Sequence, residues 1–357
     1  MTITAHSLLY LRQTMPDRPL VSFILISYNQ ERFIREAVAG AFSQTYSPLE
    51  VVICDDCSLD HTFEIIKEMA AAYQGPHKII LHRNQRNLGI CGNVNKAVEL
   101  SHGELIVAAA GDDISLPHRC ARIVEEWVQP GRRWHSLCSN AEIIDKAGKQ
   151  CGPYREKLPG RDLVSVDQVL ASGIVGVAGC THAFSRETFD VFGPLDVQSP
   201  GEDEVIGFRS LVLGGVCWIS DRLVLYRRHP ENTFKTLSDV QSMPWKRRKK
   251  LMANDKNTCA LLARLQNETL QLAEEKRILT PEMARHYANA LSASFPMLQF
   301  VVVYNKHWRA SLSWMMWAVL TGKYRPGMFS MFECEHLHAG FCKLLRFCRK
   351  PAMPRRM

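Results

Sequence analysis

The chain has 357 residues, 46% hydrophobic and 22% charged, the composition of one large α/β unit with an extension, which excludes general disorder. Its net charge of +8 is uneven, since residues 1–242 carry 24 Lys and Arg against 29 Asp and Glu while residues 243–357 carry 20 against 7. A mildly acidic front and a strongly basic tail are expected to meet different partners.

Twelve cysteines are scattered without a framework spacing. Met1–Pro19 lacks a basic segment followed by an apolar core and a small-residue cleavage site, so free thiols and a cytoplasmic location are expected. The longest apolar stretches, Phe295–Tyr304 and Leu312–Leu320, fall short of the ~20 residues that span a bilayer.

In chain order, the run Val21-Ser22-Phe23-Ile24-Leu25-Ile26-Ser27-Tyr28-Asn29 is apolar on both alternations and reads as a buried parallel strand. Between Glu31 and Gln44, Phe33, Ile34, Ala37, Val38, Ala41 and Phe42 recur at helical spacing, and Pro48 ends the pattern. Leu49–Cys54 is a second strand ending at Asp55-Asp56. A helix over Thr62–Tyr73, a strand over Lys78–His82, a helix over Asn93–Leu100 and a strand over Glu104–Ala110 follow, the last ending at Asp112-Asp113. This alternation predicts a doubly wound, mainly parallel sheet with right-handed crossovers.

Beyond Pro117, a helix over Arg119–Val128, a strand over Ser136–Asn140 and a Gly/Pro-rich stretch from Gly148 to Gly160 continue the same unit. Gly173–Phe184 is small and apolar, Glu202–Leu213 reads as a helix, and Val216–Ile219 and Leu223–Tyr226 read as two strands. From about Asn232 the chain turns helical and basic.

Ligands of such sheets bind beyond the carboxyl ends of the strands, and both acidic pairs lie there. Carboxylates in that position suit a divalent cation, a ribose or base edge, or acid–base work, and they also serve as plain turns and helix caps. A phosphoacceptor receiver domain gathers acidic residues similarly, but it needs an acidic pair after its first strand, where Ser27-Tyr28-Asn29 stand.

The blocks Val21–Asn29, Ser43-Gln44-Thr45-Tyr46, Glu50–Thr62 (EVVICDDCSLDHT), Asn87-Leu88-Gly89 and Gly103-Glu104-Leu105-Ile106, running up to Asp112-Asp113, resemble in order and spacing the family 2 glycosyltransferases of the GT-A fold. The resemblance implies a GT-A-like (Rossmann-like) mixed, mainly parallel sheet flanked by helices. It implies residues 19–118 as the nucleotide-sugar half and 119–235 as the acceptor half, with residues 1–18 an N-terminal tail and 236–357 a basic helical extension.

It also implies roles. Ser27, Tyr28 and Asn29 line the donor site, with Tyr28 against the base. Asp56 accepts a hydrogen bond from the base, usually uracil in this family, and Asp112 contacts the ribose or donor sugar. Asp113 ligates a divalent cation, Mn or Mg, that bridges the diphosphate. Many members carry an Asp two positions before Asp112, where this chain has Ala110. Gly201–Arg209 (GEDEVIGFR) resembles the acidic helix start of the family, which gives Asp203 the role of general base, although acidic residues also favour any helix N-terminus. Tyr226-Arg227-Arg228-His229 resembles a closing motif, with His229 reaching the metal or diphosphate and Arg227 or Arg228 offsetting phosphate charge.

The expected reaction is a single displacement with inversion, from a nucleotide-sugar donor, a UDP-sugar by this resemblance, to a saccharide or lipid-linked saccharide acceptor. A polyprenyl-phosphate glycosyl synthase and an inactive sugar-nucleotide-binding protein are the alternatives. Cys54-Asp55-Asp56-Cys57 has a redox spacing but lacks the second cysteine at a helix start, and Cys334, His336, His338 and Cys342 match no standard zinc spacing. The run Lys246–Lys250 lacks interleaved aromatics, so no nucleic-acid partner is expected. Trp308, Trp314, Trp317, Tyr324, Phe329 and Phe332 among basic residues suit the membrane surface, giving peripheral association at the inner face of the cell membrane as the expectation.

Overall fold

The computed structural model describes residues 18–129, 134–155, 175–199, 201–232 and 245–299, with side chains in the last of these segments from 257 to 292. Its first half alternates β1 (Val21–Ser27), α1 (Ile34–Phe42), β2 (Leu49–Asp55), α2 (Thr62–Ala72), β3 (Lys78–Arg83), α3 (Gly89–Leu100) and β4 (Leu105–Ala110). β1 pairs in parallel with β2 on one side and β4 on the other, and β2 pairs in parallel with β3. These strands are apolar on both alternations because both faces are covered. Phe23 and Leu25 enter one core cluster and Ile24 another.

The second half holds β5 (Ile114–Ser115), α4 (Arg119–Trp127), β6 (Ser136–Ile144), β7 (Gln150–Pro153), a 3-10 turn (Gly179–Thr181), β8 (His182–Ser185), α5 (Glu187–Phe192), α6 (Glu202–Leu213) and β9 (Val216–Arg227). The sheet order is β3-β2-β1-β4-β8-β6-β9-β5, with β7 beside β6. β8 is antiparallel to both β4 and β6, so β1–β4, β6 and β9 point one way while β5, β7 and β8 run against them. The mixed, mainly parallel sheet matches the expected class.

Several elements differ from the sequence reading. β9 is one strand, because Ser220–Arg222 stays extended through a register shift against β6 instead of turning. β6 runs to Ile144, beyond Asn140, because Glu142 is held by Arg222 at 2.6 Å. α3 starts at Gly89, where positive φ (76°) lets the chain enter the helix directly after the Asn87-Leu88 turn.

α1 and α4 cover one face of the sheet. Ile34 of α1 is fully buried, and truncating such a side chain to Ala costs about 2–5 kcal/mol. Gln44 joins the two helices: its Nε2 donates to the carbonyls of Gly40 and Leu116, each at 2.9 Å, and its Oε1 accepts the Cys120 N–H at 3.0 Å. The opposite face is covered by α3, α6 and α7 (Trp245–Glu275). Across the 235/236 boundary drawn from the sequence, Cys259, Leu262 and Leu265 of α7 share one cluster with Ile24, Val52 and Ile106. α8 (Pro281–Gln299) packs back on α7 through Ala284 and Leu291, in the cluster that holds Leu270 and Ala273.

No helix among the described residues is long and apolar enough to cross a membrane. The side chains of Lys246–Lys250, the aromatic and basic residues beyond 300 and the Cys334–Cys342 group lie outside the described residues.

Candidate functional site

Residues from both halves meet beyond the carboxyl ends of β1, β2 and β4. The loops after β1 and β2 are laced together. Asn29, with positive φ (53°), donates its N–H to Ser58 Oγ at 2.9 Å and accepts the Leu59 N–H at 2.8 Å. Asn is among the few residues that occupy this conformation at modest cost. Ser27 Oγ donates to Asp55 Oδ1 at 3.2 Å, and Asp55, fully buried, also accepts the Ser58 N–H at 2.9 Å. Asp55 is thereby committed to loop structure, while Tyr28 projects from this loop with 42% of its surface exposed.

Asp56 takes a different set of partners. Its Oδ1 accepts Asn84 Nδ2 and the Leu88 N–H, both at 2.8 Å, and its Oδ2 accepts the Gly89 N–H at 2.9 Å. Asn84 in turn donates to Asn93 Oδ1 at 3.0 Å, and Asn93 Nδ2 donates to the Cys54 carbonyl at 3.0 Å. Asn84 and Asn93 went unread in the sequence, although an asparagine at a strand end and another on a buried helix face are the available signals. Cys54 and Cys57 are both free thiols, and burial pushes the Cys54 thiol up to about 12, which suits inert packing.

The turn from β4 to β5 carries Asp112 and Asp113. Asp113 is buried, and its Oδ1 accepts the Arg227 N–H at 2.7 Å. Burial, then the adjacent Asp112, push its carboxyl well above the usual range, against a hydrogen bond from the Cys180 thiol. Asp112 Oδ2 meets His229 Nε2 at 3.0 Å and accepts Asn232 Nδ2 at 3.3 Å. The His229 ring lies 4.7 Å from that of Phe33, and its Nδ1 meets Glu231 at 2.9 Å. The hydrogen bond to Asp112 is the main cause of the raised His229 pKa.

Arg227 differs from its expected role beside a phosphate. It is 1% exposed, and its guanidinium donates to Glu36 Oε2 at 2.9 Å and to the Asp112 carbonyl at 3.0 Å. The exposed cation of the pair is Arg228.

Asp203 opens α6 and accepts the Gly179 N–H at 3.2 Å. A Cβ at Gly179 would lie 2.2 Å from Glu202 Oε1, so a side chain there would make the Glu202 carboxylate shift. The next residue, Cys180, has its thiol beside Asp113, so a single turn lies against both carboxylates. Tyr154 and Tyr226 pack edge to face with ring centroids 5.4 Å apart. Tyr226 feels the charges of Asp113 and Asp112, and Tyr154 that of Asp203. Burial raises the carboxyl of Asp203 above its usual range and those of Glu202 and Glu204 to about 8. Glu204 faces away from this turn and caps the N–H groups of Val175 and Gly176, both at 2.8 Å.

Among the described residues, no three His, Cys, Asp or Glu side chains converge as a self-sufficient metal cage. Asp113 and His229 do not form a cage by themselves, so a cation held there would take most of its ligands from substrate oxygens and water.

Comparisons agree with this architecture. The family model described as Glycosyl transferase family 2 matches residues 22–191. An uncharacterized glycosyltransferase of Nostoc sp. PCC 7120 is 30% identical over 233 residues, 62% of this chain and 69% of the relative. EpsE of Bacillus subtilis is 31% identical over 134 residues, and the match spans 38% of this chain and 47% of EpsE, so the chain spans only about half of that relative's length. Among solved structures, the mannosyltransferase PcManGT of Pyrobaculum calidifontis, in complex with GDP-Man and Mn²⁺, superposes with a TM-score of 0.51 at 16% identity, covering 95% of this chain and 87% of that one. That likeness shows the GT-A fold. With the family model over β1 to α5 and a relative of that identity matched over more than two-thirds of its length, the chain belongs to glycosyl transferase family 2.

Proposed function

We propose that this chain transfers a sugar from a nucleoside-diphosphate donor, a UDP-sugar, to a hydroxyl of a saccharide acceptor, with inversion at the anomeric carbon. The observation that carries the proposal is the turn Gly179–Cys180, which donates an N–H to Asp203 and sets the Cys180 thiol beside Asp113. That spacing suits a site where the leaving diphosphate lies toward Asp113 and the attacking hydroxyl toward Asp203. The hydroxyl proton passes to Asp203 as the oxygen–carbon bond forms and the bond from carbon to the diphosphate oxygen breaks. The raised carboxyl of Asp203 makes it a stronger base near neutral pH than an exposed aspartate. Tyr154 and Tyr226 supply a wall for the acceptor.

A preference for UDP over GDP is supported by counting lone pairs at Asp56. A carboxylate offers about four acceptor positions, and three are filled by Asn84, Leu88 and Gly89. One acceptor position suits the single imide N–H of uracil and not the two neighbouring N–H groups of guanine. Tyr28 would pack on the base, Ser27 and Asn29 would shape its loop, and Asp112 would contact the ribose or sugar. Asp113 and His229 would hold a divalent cation, Mn or Mg, whose chemistry when bound is to neutralise the departing diphosphate.

The acceptor class we propose is a polysaccharide or lipid-linked glycan, with the basic segment beyond α8 resting on the membrane surface; recovery of the protein entirely in the soluble fraction at low salt would contradict that location. The decisive experiment for the donor is a thermal-shift panel of UDP-, GDP- and dTDP-sugars with and without Mn²⁺, since ligands that bind the native state raise the melting temperature. UDP-sugars with Mn²⁺ are expected to give the largest shift. No shift from any nucleotide sugar would overturn the reading.

A further inference from the structure

Arg227 is among the largest fully buried side chains and reaches three other segments of the chain. Its backbone N–H donates to Asp113 Oδ1 at 2.7 Å and its Nε to the Asp112 carbonyl at 3.0 Å, so one residue grips both members of the acidic pair. Its Nη1 lies 3.4 Å from the Asp145 carbonyl and 3.5 Å from that of Lys146, in the hairpin between β6 and β7. Its Nη2 pairs with Glu36 of α1 at 2.9 Å, and its guanidinium lies 5.0 Å over the Phe33 ring, the ring that also backs His229. A planar guanidinium can satisfy several fixed acceptors at once, which an ammonium cannot. A buried cation has to recover its desolvation cost through such partners. None of its bonds runs to the space between Asp113 and Asp203.

We propose that Arg227 is a positioning residue for the cation–diphosphate site, fixing the Asp112–Asp113 turn through Glu36 and Phe33 without touching substrate. The inference rests on the proposed role of Asp113 as cation ligand and extends it to how that ligand is aimed. The turn spans three residues, Gly111 to Asp113, between β4 and the two-residue β5. Short elements of this kind supply little stiffness of their own, so the aim of the carboxylates depends on outside contacts. Arg227 supplies these at the end of β9, the strand that also pairs with β5.

The test compares wild type with Arg227→Met, which keeps an apolar stem, and with Glu36→Ala, which alters a half-exposed partner. Three quantities are read on the full chain: the affinity for UDP in EDTA, the affinity for Mn²⁺ in saturating UDP from the free-ion EPR signal, and the melting temperature. GDP is run in parallel, and the tighter nucleotide is used. Arg227→Met is expected to weaken Mn²⁺ binding at least tenfold and UDP alone by less than twofold. Glu36→Ala is expected to weaken Mn²⁺ about threefold with little change in melting. Equal loss of both affinities, or Mn²⁺ binding unchanged, overturns the proposal. If Arg227→Met fails to fold, Glu36→Ala decides alone by the same criterion. Asp113→Asn separates the two layers: if it leaves Mn²⁺ binding unchanged, or if neither nucleotide promotes Mn²⁺ binding in wild type, the role of Asp113 itself falls, and the present proposal with it.

Discussion

Replacing Asp56 with Asn tests whether one carboxylate both fixes the donor loop and reads the base. The carboxylate accepts three N–H groups at 2.8–2.9 Å and is 3% exposed. An amide can offer only one oxygen to them. The cheaper orientation keeps that oxygen toward Asn84 and Leu88 and turns the NH₂ toward the Gly89 N–H. One hydrogen bond to a charged acceptor is then lost, worth about 1.5–3 kcal/mol, and two others drop to neutral strength of about 1 kcal/mol each. Two effects reduce the sum. The Gly89 N–H keeps Asn87 Oδ1 at 3.0 Å, and a buried charge no longer has to be desolvated. The expected loss is about 2–3 kcal/mol, read as a lower urea midpoint at constant slope. UDP affinity should fall at least tenfold, and wild type should bind 3-methyl-UDP, which lacks the imide N–H, as weakly as the variant binds UDP. A stability loss under about 1 kcal/mol, or a wild type indifferent to N3 methylation, would refute the reasoning.

Asp203→Asn should lower transfer by about 10²–10⁴-fold, the usual contribution of a general base, with UDP binding within twofold of wild type; retained transfer in a steady-state assay would remove the assignment. Glu204→Gln should change how stability depends on pH. Burial raises the native Glu204 carboxyl from 4.5 to about 8, so the native state holds a proton that the unfolded chain releases. That contribution is complete below pH 4.5 and is lost as pH rises to about 8. Urea midpoints at pH 5, 7 and 9 should therefore fall less steeply in the variant than in wild type. Gly40→Ala should destabilise by about 1–3 kcal/mol through overpacking, because a Cβ there would lie 2.8 Å from the Ser115 carbonyl of β5; a neutral urea melt would contradict the close approach of α1 to that strand.

The parallel half of the sheet was legible because strands covered on both faces are apolar on both alternations over most of their length, as β1, β2 and β4 are. Asp56, Asp112, Asp113 and Asp203 were legible as acidic residues at strand or helix ends, and the structure brings the last two to one turn. What could not be read depends on partners distant in sequence. β8 is four residues long and gains its place by pairing with two strands formed earlier. β5 is too short to show any period. The inward turn of Arg227, against the outward one of Arg228, is set by Glu36, which lies 191 residues away. Cys180 carried no signal at all, since a thiol in an apolar stretch reads as packing.

The shared cluster of α7 with β1 and β2 bears on the order in which the chain becomes able to fold. By residue 110 a ribosome has delivered β1–β4, yet Ile24, Val52 and Ile106 still await part of their cover. Phe184 arrives next, then Val205 and Ile206, and the face is closed only when Leu262 and Leu265 emerge. A nascent or truncated chain that stops near residue 235 thus presents an apolar sheet face to its surroundings, although every residue proposed to act in transfer is already present. Chemistry and foldability end at different points along this sequence. A shortened enzyme must be cut after the helices and not after the site.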